Sequence, residues 1–463
     1  MNNYAGTIAA ISTPPGKGGV AIIRISGTSS IEIAEKVFSP SSKKKLSDYP
    51  PRMQVRGDIY YGGDMIDDGM ATYFRAPASY TGEDTVEIAC HGGALVTRTV
   101  LEAVLAAGAI PATAGEFTKR AFINGKLSLT EAEAIGNLLE AESREQIKLS
   151  AGKSRELLTA SIAEIRELLT STLSSIYARI DYPDEDLGDF TDKETVEILK
   201  NTADKIKRLI ATYRTGKAIS EGIKTVICGK PNVGKSSLYN LMLGRNAAIV
   251  TDIEGTTRDV LSEKISLGRV MLNLSDTAGV RQNTLDPIEK IGIDRSLDKI
   301  SESELILAVF DLSREFDGED AELIRRIGEC SAAKIAILNK CDLQVRLDTS
   351  KIEAVFDTVI EASAENDDGK LEAILAETVD KLFTDEKISV GNEAIIASAR
   401  QNAELVAALE LTESAISACS MGIAADAVSS DIERALGAIA ELDGIAISEA
   451  VVADIFSKFC VGK

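Results

Sequence analysis

The chain opens with four short runs of apolar, β-favouring residues: Thr7–Ser12, Val20–Ser26, Gly69–Phe74 and Thr85–Cys90. Turn clusters such as Pro14-Pro15-Gly16 and Tyr61-Gly62-Gly63-Asp64 separate them, so the pattern predicts strands joined by tight turns. A helical period follows over Ala94–Ala107, with Leu95, Val100, Leu101, Val104 and Leu105 expected on one side. Residues 1–120 therefore read as a mixed α/β unit. From Thr130 to about Ile180 the chain is rich in Ala, Leu, Glu and Ser and contains no Pro, which predicts a long helical stretch. Thr130 followed by Glu133 fits a capping box at its start. Pro183 ends the stretch, and a second helical run is expected over about Asp192–Tyr213.

At Lys224 the pattern becomes strand, Gly-rich loop, helix, and it alternates in this way to about residue 380. After Asn392 the helical texture returns and runs through Ile447–Phe459. Helical texture on both sides of an α/β block predicts one helical domain carrying an insertion; two independent helical domains are the alternative. The expected fold class is multidomain α/β plus all-α, with parts at 1–120, 121–220, 221–380 and 381–463.

Length and charge narrow this further. At 463 residues, about three domains and several buried cores are expected. The net charge of −21 excludes a uniformly basic nucleic-acid binder. Residues 1–130, however, hold 13 Lys/Arg against 12 Asp/Glu, so a nucleic-acid contact fits that region or a basic partner better than the acidic remainder. Six scattered cysteines with no CxxC spacing fit a reduced, cytoplasmic protein. The single histidine, His91, excludes multi-histidine zinc sites and repeated imidazole catalysis. The N-terminal MNNYAGTIAA lacks the pattern of a signal peptide, and no apolar run approaches a membrane span.

The strongest chemistry lies in the α/β block. Gly229-Lys230-Pro231-Asn232-Val233-Gly234-Lys235-Ser236 matches GxxxxGK[ST] between the strand Thr225–Cys228 and a helix starting near Ser237. Backbone N–H groups of such a loop, including Val233 and Ser237, curl around phosphates; Lys235 reaches the β/γ-phosphates and the Ser236 hydroxyl ligates Mg²⁺. Asp276-Thr277-Ala278-Gly279 follows the strand Val270–Ser275, where Asp276 holds Mg²⁺ through water and the Gly279 N–H senses a γ-phosphate. Asn339-Lys340-Cys341-Asp342 follows the strand Lys334–Leu338. A carboxylate at Asp342 accepts from guanine N1–H and N2–H₂, a donor pair adenine lacks, and so selects GTP over ATP. Ser363-Ala364 after Thr358–Glu361 suits a contact with the guanine carbonyl. Between the first two motifs lies a switch loop, Thr251-Asp252-Ile253-Glu254-Gly255-Thr256-Thr257, whose Thr257 supplies a second Mg²⁺ ligand.

This set resembles the translation-factor-like GTPases with one departure. Many of those carry Gln after DxxG to orient the attacking water; here the position is Val280. Glu289, ten residues beyond Gly279, is the candidate for that task, against a solvated charge in the acidic stretch Asp286–Asp294.

Across its full length the chain resembles the MnmE (TrmE) family of tRNA-modification GTPases. The marks are TIAAISTPPGKGGVAIIRISG at 7–27, SYTGEDTVEIACHGG at 79–93, GEFTKRAFINGKLSLTEAEAI at 115–135 and FCVGK at 459–463. Val461 stands where the family often has Ile, and Ser128 where Asp is common. The resemblance implies an N-terminal folate-binding and dimerisation domain, a helical domain, and a Ras-like G domain inserted in the helical one. It implies a homodimer that acts on tRNA with the FAD-dependent partner MnmG. The pair adds a carboxymethylaminomethyl or aminomethyl group at C5 of the wobble uridine, using a methylene-tetrahydrofolate one-carbon unit. Folate contacts are implied at Arg24, Glu87, Lys126 and Lys463, and Cys460 is the thiol within the tail signature. It also implies K⁺-activated hydrolysis, with the Asn232 side-chain oxygen and carbonyls of Thr251, Ile253 and Thr256 as K⁺ ligands. A regulatory GTPase switch in ribosome assembly, without modification chemistry, is the alternative; a self-sufficient folate aminomethyltransferase with an accessory G domain is a further rival.

Overall fold

The computed structural model describes residues 6–181, 192–246, 263–275, 300–366, 369–444, 449–457 and 459–462. They fall into two compact units, one of Met1–Gly136 with Ala440–Lys463 and one of Asn137–Ile439.

In the first unit the predicted strands form, with three more, a seven-stranded sheet. Its strands are β1 (Ile8–Ile11), β2 (Val20–Ser26), β3 (Phe38–Pro40), β4 (Gln54–Tyr61), β5 (Asp64–Phe74), β6 (Thr85–His91) and β7 (Ile110–Pro111), in the order β3-β4-β5-β6-β2-β1-β7. Every pairing is antiparallel except β1 with β7. Alternation drives Ile23, Ile25, Val86 and Ile88 into a core shared with Val100 and Val104 of the helix Ala94–Ala106. Leu95, expected on that helix's apolar side, is 77% exposed. The inward stripe is Thr97, Val100, Ala103 and Val104, and a residue five positions from Val100 stands about 140° around the helix.

The expected unbroken helix after Thr130 is three helices, Leu129–Leu139, Arg144–Ser150 and Lys153–Asp181. The first capping box is Ser128 with Glu131 rather than Thr130 with Glu133: the Glu131 N–H donates to Ser128 Oγ at 3.2 Å and the Ser128 N–H to Glu131 Oε2 at 2.9 Å. Thr130 instead donates its hydroxyl to the Leu442 carbonyl at 2.9 Å. A second capping box, Ser143 with Gln146, restarts the chain as the helix Arg144–Ser150. The second helical run extends past Tyr213 to Ser220, because Thr212, Thr215, Ala218 and Ile219 continue its buried side. Pro183 lies outside the described residues.

The C-terminal segment, grouped by its texture with the helical part 381–463, packs from Ala440 onward with the first strands. Val452 and Phe456 of the helix Glu449–Ser457, with Phe459, bury against Leu129, Ala132 and Phe122. An antiparallel bridge then joins Val461 to Ala114.

The second unit couples a helical bundle to a six-stranded sheet. The bundle helices Lys153–Asp181, Asp192–Ser220 and Ala399–Ser420 pack side by side, and the helix Ala425–Asp443 joins through Ser414 Oγ to Asp431 at 2.6 Å. Leu158, Ile162, Ile165, Leu169 and Ile176 form the expected stripe at helical spacing. The sheet strands are β8 (Ile223–Cys228), β9 (Glu263–Leu267), β10 (Val270–Ser275), β11 (Leu305–Asp311), β12 (Ala333–Asn339) and β13 (Thr358–Glu361), ordered β13-β12-β11-β8-β10-β9. All pairings are parallel except β9 with β10. This is the alternating α/β block inserted between helices that the texture predicts. Its core extends into the bundle through Leu149, Ala218 and Ile219. Arg269, in the turn between β9 and β10, ties the sheet to the helix Lys370–Phe383 with a fork on Asp380 (2.9 and 2.8 Å) and a bond to Thr384 Oγ1 at 2.7 Å. Among the described residues, no helix is long and apolar enough to cross a membrane.

Candidate functional site

Parallel strands of an α/β sheet deliver their following loops to one edge, where ligands are taken up. Here β8, β11, β12 and β13 end at Cys228, Asp311, Asn339 and Glu361, and the ends of β8, β12 and β13 lead into predicted motifs. The loop after β8 turns at Asn232 in the left-handed region, φ 63°, before Gly234 at φ 106° opens the helix Lys235–Asn246. A Cβ on Gly234 would lie 2.0 Å from Asn339 Nδ2, so glycine is required there for space as well as conformation. Lys235 Nζ arches over the loop to the carbonyl oxygens of Gly229 (2.8 Å) and Lys230 (2.7 Å). Behind it, burial pushes the Cys228 thiol up to about 12, so this cysteine stays protonated.

Asn339 joins three loops. Its Nδ2 donates to the Val233 carbonyl at 2.8 Å, and its Oδ1 accepts from the Ala364 N–H at 2.9 Å. The buried amide thus holds the phosphate loop and the Ser363-Ala364 loop to the same strand end. Lys340, itself at φ 65°, sends Nζ to the Asn232 carbonyl at 3.0 Å. Asp342 is exposed, within 3.4 Å of Asn366 Nδ2, with its carboxylate available to a base. The structure therefore brings Asn232, Val233, Gly234, Lys235, Ser236, Ser237, Asn339, Lys340, Asp342, Ser363 and Ala364 to one edge. The Asn232 side chain is exposed. The switch loop Thr251–Thr257, the Asp276–Gly279 motif and Glu289 lie outside the described residues.

The N-terminal unit gathers a second set. Arg24 and Glu87 stand opposite each other on β2 and β6, and Arg24 Nε donates to Glu87 Oε1 at 2.9 Å. Each is the partner that the other's place among apolar neighbours demands. The guanidinium lies 5.4 Å from the ring centre of Tyr80 and 5.6 Å from that of Phe117. Burial pushes the Tyr80 phenol up, so it stays neutral, and it bonds Thr118 Oγ1 at 2.9 Å. The chain's end reaches this pair: the Gly462 carbonyl accepts from Ser12 Oγ at 3.1 Å and from Arg24 Nη1 at 3.5 Å. Gly462 has φ 99°, and a Cβ there would lie 2.1 Å from the Ile11 carbonyl oxygen. Lys126 is committed to the Pro77 carbonyl at 3.1 Å, and Lys463 lies outside the described residues. Cys460 is exposed, and its carbonyl accepts from the Gly115 N–H at 3.4 Å.

Sequence reasoning missed Tyr80, Phe117 and Ser12 around Arg24, although Tyr80 sits in the quoted SYTGED stretch. It also missed a buried charge cluster beneath that stretch. Arg120, 3% exposed, pairs with Glu116 at 2.9 Å and Glu83 at 3.1 Å. The i, i+4 spacing of Glu116 and Arg120 was the available signal. His91 Nδ1 pairs with Asp67 at 2.7 Å.

Comparison with known proteins agrees with this layout. Residues 7–126 match the family model described as the GTP-binding protein TrmE N-terminus, and residues 129–460 match the MnmE helical domain. The chain is 38% identical to a tRNA modification GTPase MnmE of Thermotoga maritima over 462 residues, covering 99% of this chain and 100% of that one. It is 36% identical to its counterpart from Clostridioides difficile over 459 residues, covering 99% of each. Among solved structures, the G domain of the T. maritima FeoB iron transporter superposes with a TM-score of 0.25 at 23% identity, covering 35% of this chain and 98% of that one.

Proposed function

The chain belongs to the MnmE family of tRNA modification GTPases, and from that premise we propose that it is a K⁺-activated GTP hydrolase which, with a flavoprotein of the MnmG type, aminomethylates the wobble uridine of tRNA. The observation that carries the reading is the coexistence of two sites in one chain: a guanine-nucleotide edge joined by Asn339, and an Arg24–Glu87 pair met by the C-terminal tail.

At the first site the residues fit GTP and two cations. Lys235 and the backbone N–H groups of Val233–Ser237 suit the phosphates, and Asp342 suits the guanine edge. Oxygen donors suit hard cations: Ser236 with Thr257 for Mg²⁺, and Asn232 with the Thr251, Ile253 and Thr256 carbonyls for K⁺. Bound there, the cations neutralise charge that builds on the phosphates, a role for which other GTPases use an arginine worth about 10³–10⁵-fold. Glu289 orients the attacking water in place of the missing glutamine.

At the second site the Glu87 carboxylate suits the adjacent N–H donors of a pterin amino-pyrimidine. Arg24, Lys126 and Lys463 suit the folate's carboxylates and ring oxygen, and Tyr80 with Phe117 offers aromatic faces. The one-carbon unit arrives on methylene-tetrahydrofolate, while the redox step belongs to the flavoprotein. Two copies joined through their N-terminal units would complete the assembly in the cytoplasm.

The decisive experiment combines the purified protein, GTP, methylene-tetrahydrofolate, a nitrogen donor and the flavoprotein on unmodified tRNA. Modified wobble uridine supports the reading. Intact GTP turnover without modification would favour a regulatory switch. Hydrolysis should be faster in K⁺ than in Na⁺ and lose that preference in Asn232→Ala; equal wild-type rates in the two salts would remove K⁺ from the mechanism. Glu289→Ala should hydrolyse slowly with unchanged GTP affinity.

A further inference from the structure

Asp311 ends β11, next to the strand that ends in Asn339, and the two residues are register partners. Its side chain is 3% exposed. An ionised carboxylate so placed requires several donors, and it has them. Lys340 Nζ donates to Oδ2 at 2.7 Å, Arg314 Nε lies 3.3 Å from the same oxygen, and Oδ1 accepts from Ser313 Oγ (2.6 Å) and Ser313 N–H (3.0 Å). Burial alone pushes this carboxyl up, but the bonds from Lys340 and Ser313 outweigh it and hold it below its ordinary value.

The ammonium that Asp311 holds is the one that spans two loops. Lys340 belongs to the base-recognition loop, yet its Nζ ends on the carbonyl of Asn232 in the phosphate loop. A free lysine side chain has many rotamers, and its backbone here sits in the unfavourable left-handed region. The buried carboxylate selects one extended arrangement before any ligand arrives, which is preorganisation.

We propose that Asp311 is a positioning residue for guanine-nucleotide binding: it touches no nucleotide and acts by fixing Lys340 as a strut between the base-recognition loop and the phosphate loop. The inference rests on the guanine-nucleotide reading and extends it to a residue outside the motifs. It also explains why a carboxylate is kept at the end of a strand whose other residues, Leu305–Phe310, are apolar and buried.

The test is a double-mutant cycle on the full chain, read by the Kd and dissociation rate of fluorescent GDP. Asp311→Asn and Lys340→Met should each weaken binding by roughly 10- to 100-fold, the scale of a lost charge-assisted hydrogen bond. If Asp311 acts through Lys340, the double variant binds no more weakly than Lys340→Met alone. Losses that multiply would overturn the proposal by giving Asp311 an independent role. Ser313→Ala, which trims one donor to the same carboxylate, covers the case in which Asp311→Asn does not fold. It should weaken GDP binding only when Lys340 is present, and an equal effect in the Lys340→Met background would also overturn the proposal. Wild-type protein that binds no GDP would instead overturn the guanine-nucleotide reading itself.

Discussion

His91, the chain's only histidine, illustrates how a single side chain is tied to its surroundings. Its ring is held by the Asp67 carboxylate, and its backbone N–H also donates to Asp67 at 2.8 Å. The hydrogen bond to Asp67, reinforced by the carboxylate's charge, raises the imidazole pKa above its ordinary value. A raised folded-state pKa means that this contribution is complete below the unfolded value of about 6.5 and is lost as pH rises through the folded one. Wild-type protein should therefore lose stability relative to Asp67→Asn as pH rises above about 6.5, measured by urea unfolding at each pH. A gap between the two proteins that does not change with pH would contradict this. At the same scale the sequence was uneven in what it revealed. Arg24 and Glu87 were legible because a charge among isoleucines needs a partner, but only strand register shows that they are each other's. Asp311 was illegible because its partner, Lys340, is 29 residues away across a strand pairing that no local pattern encodes.

Among the elements, strands with strong alternation and loops with fixed spacing were legible; helix starts were less so. Ser128-Leu129-Thr130-Glu131 and Thr130-Glu131-Ala132-Glu133 both satisfy the S/T-x-x-E rule. What decides between them is the Leu442 carbonyl, which takes the Thr130 hydroxyl from 312 positions away. Ser128→Ala should then weaken the first turn by about 1 kcal/mol, seen as faster amide exchange at Glu131. Unchanged exchange there, with a loss on Thr130→Ala, would return the cap to Thr130. The break between the helices Arg144–Ser150 and Lys153–Asp181 was equally hidden, because Ala, Lys and Ser around Gly152 are tolerated in a helix interior and in a turn alike.

For the whole molecule, the order of domains was readable from texture, and the destination of the last residues was not. Apolar spacing marks Val452, Phe456 and Phe459 as buried but says nothing of what buries them. The structure answers with Leu129, Ala132 and Phe122, and places the Gly462 carbonyl beside Arg24. Removing Phe459–Lys463 should abolish tRNA modification while leaving GDP affinity intact, checked by nucleoside analysis beside a fluorescent-nucleotide titration. A parallel loss of nucleotide affinity would signal general misfolding and defeat the idea of a tail that completes the one-carbon site.

That tail also sets a timetable for biosynthesis. Ser12 and Gly462 are hydrogen-bonded across 450 positions, and Val461 bridges to Ala114. Domains fold as the ribosome releases them, first-made first; here the sheet made early gains these two contacts only after residues 461 and 462 have emerged. A chain cut anywhere short of Val461 carries an N-terminal unit without its closing bridge, and Arg24 there lacks the Gly462 carbonyl as a partner.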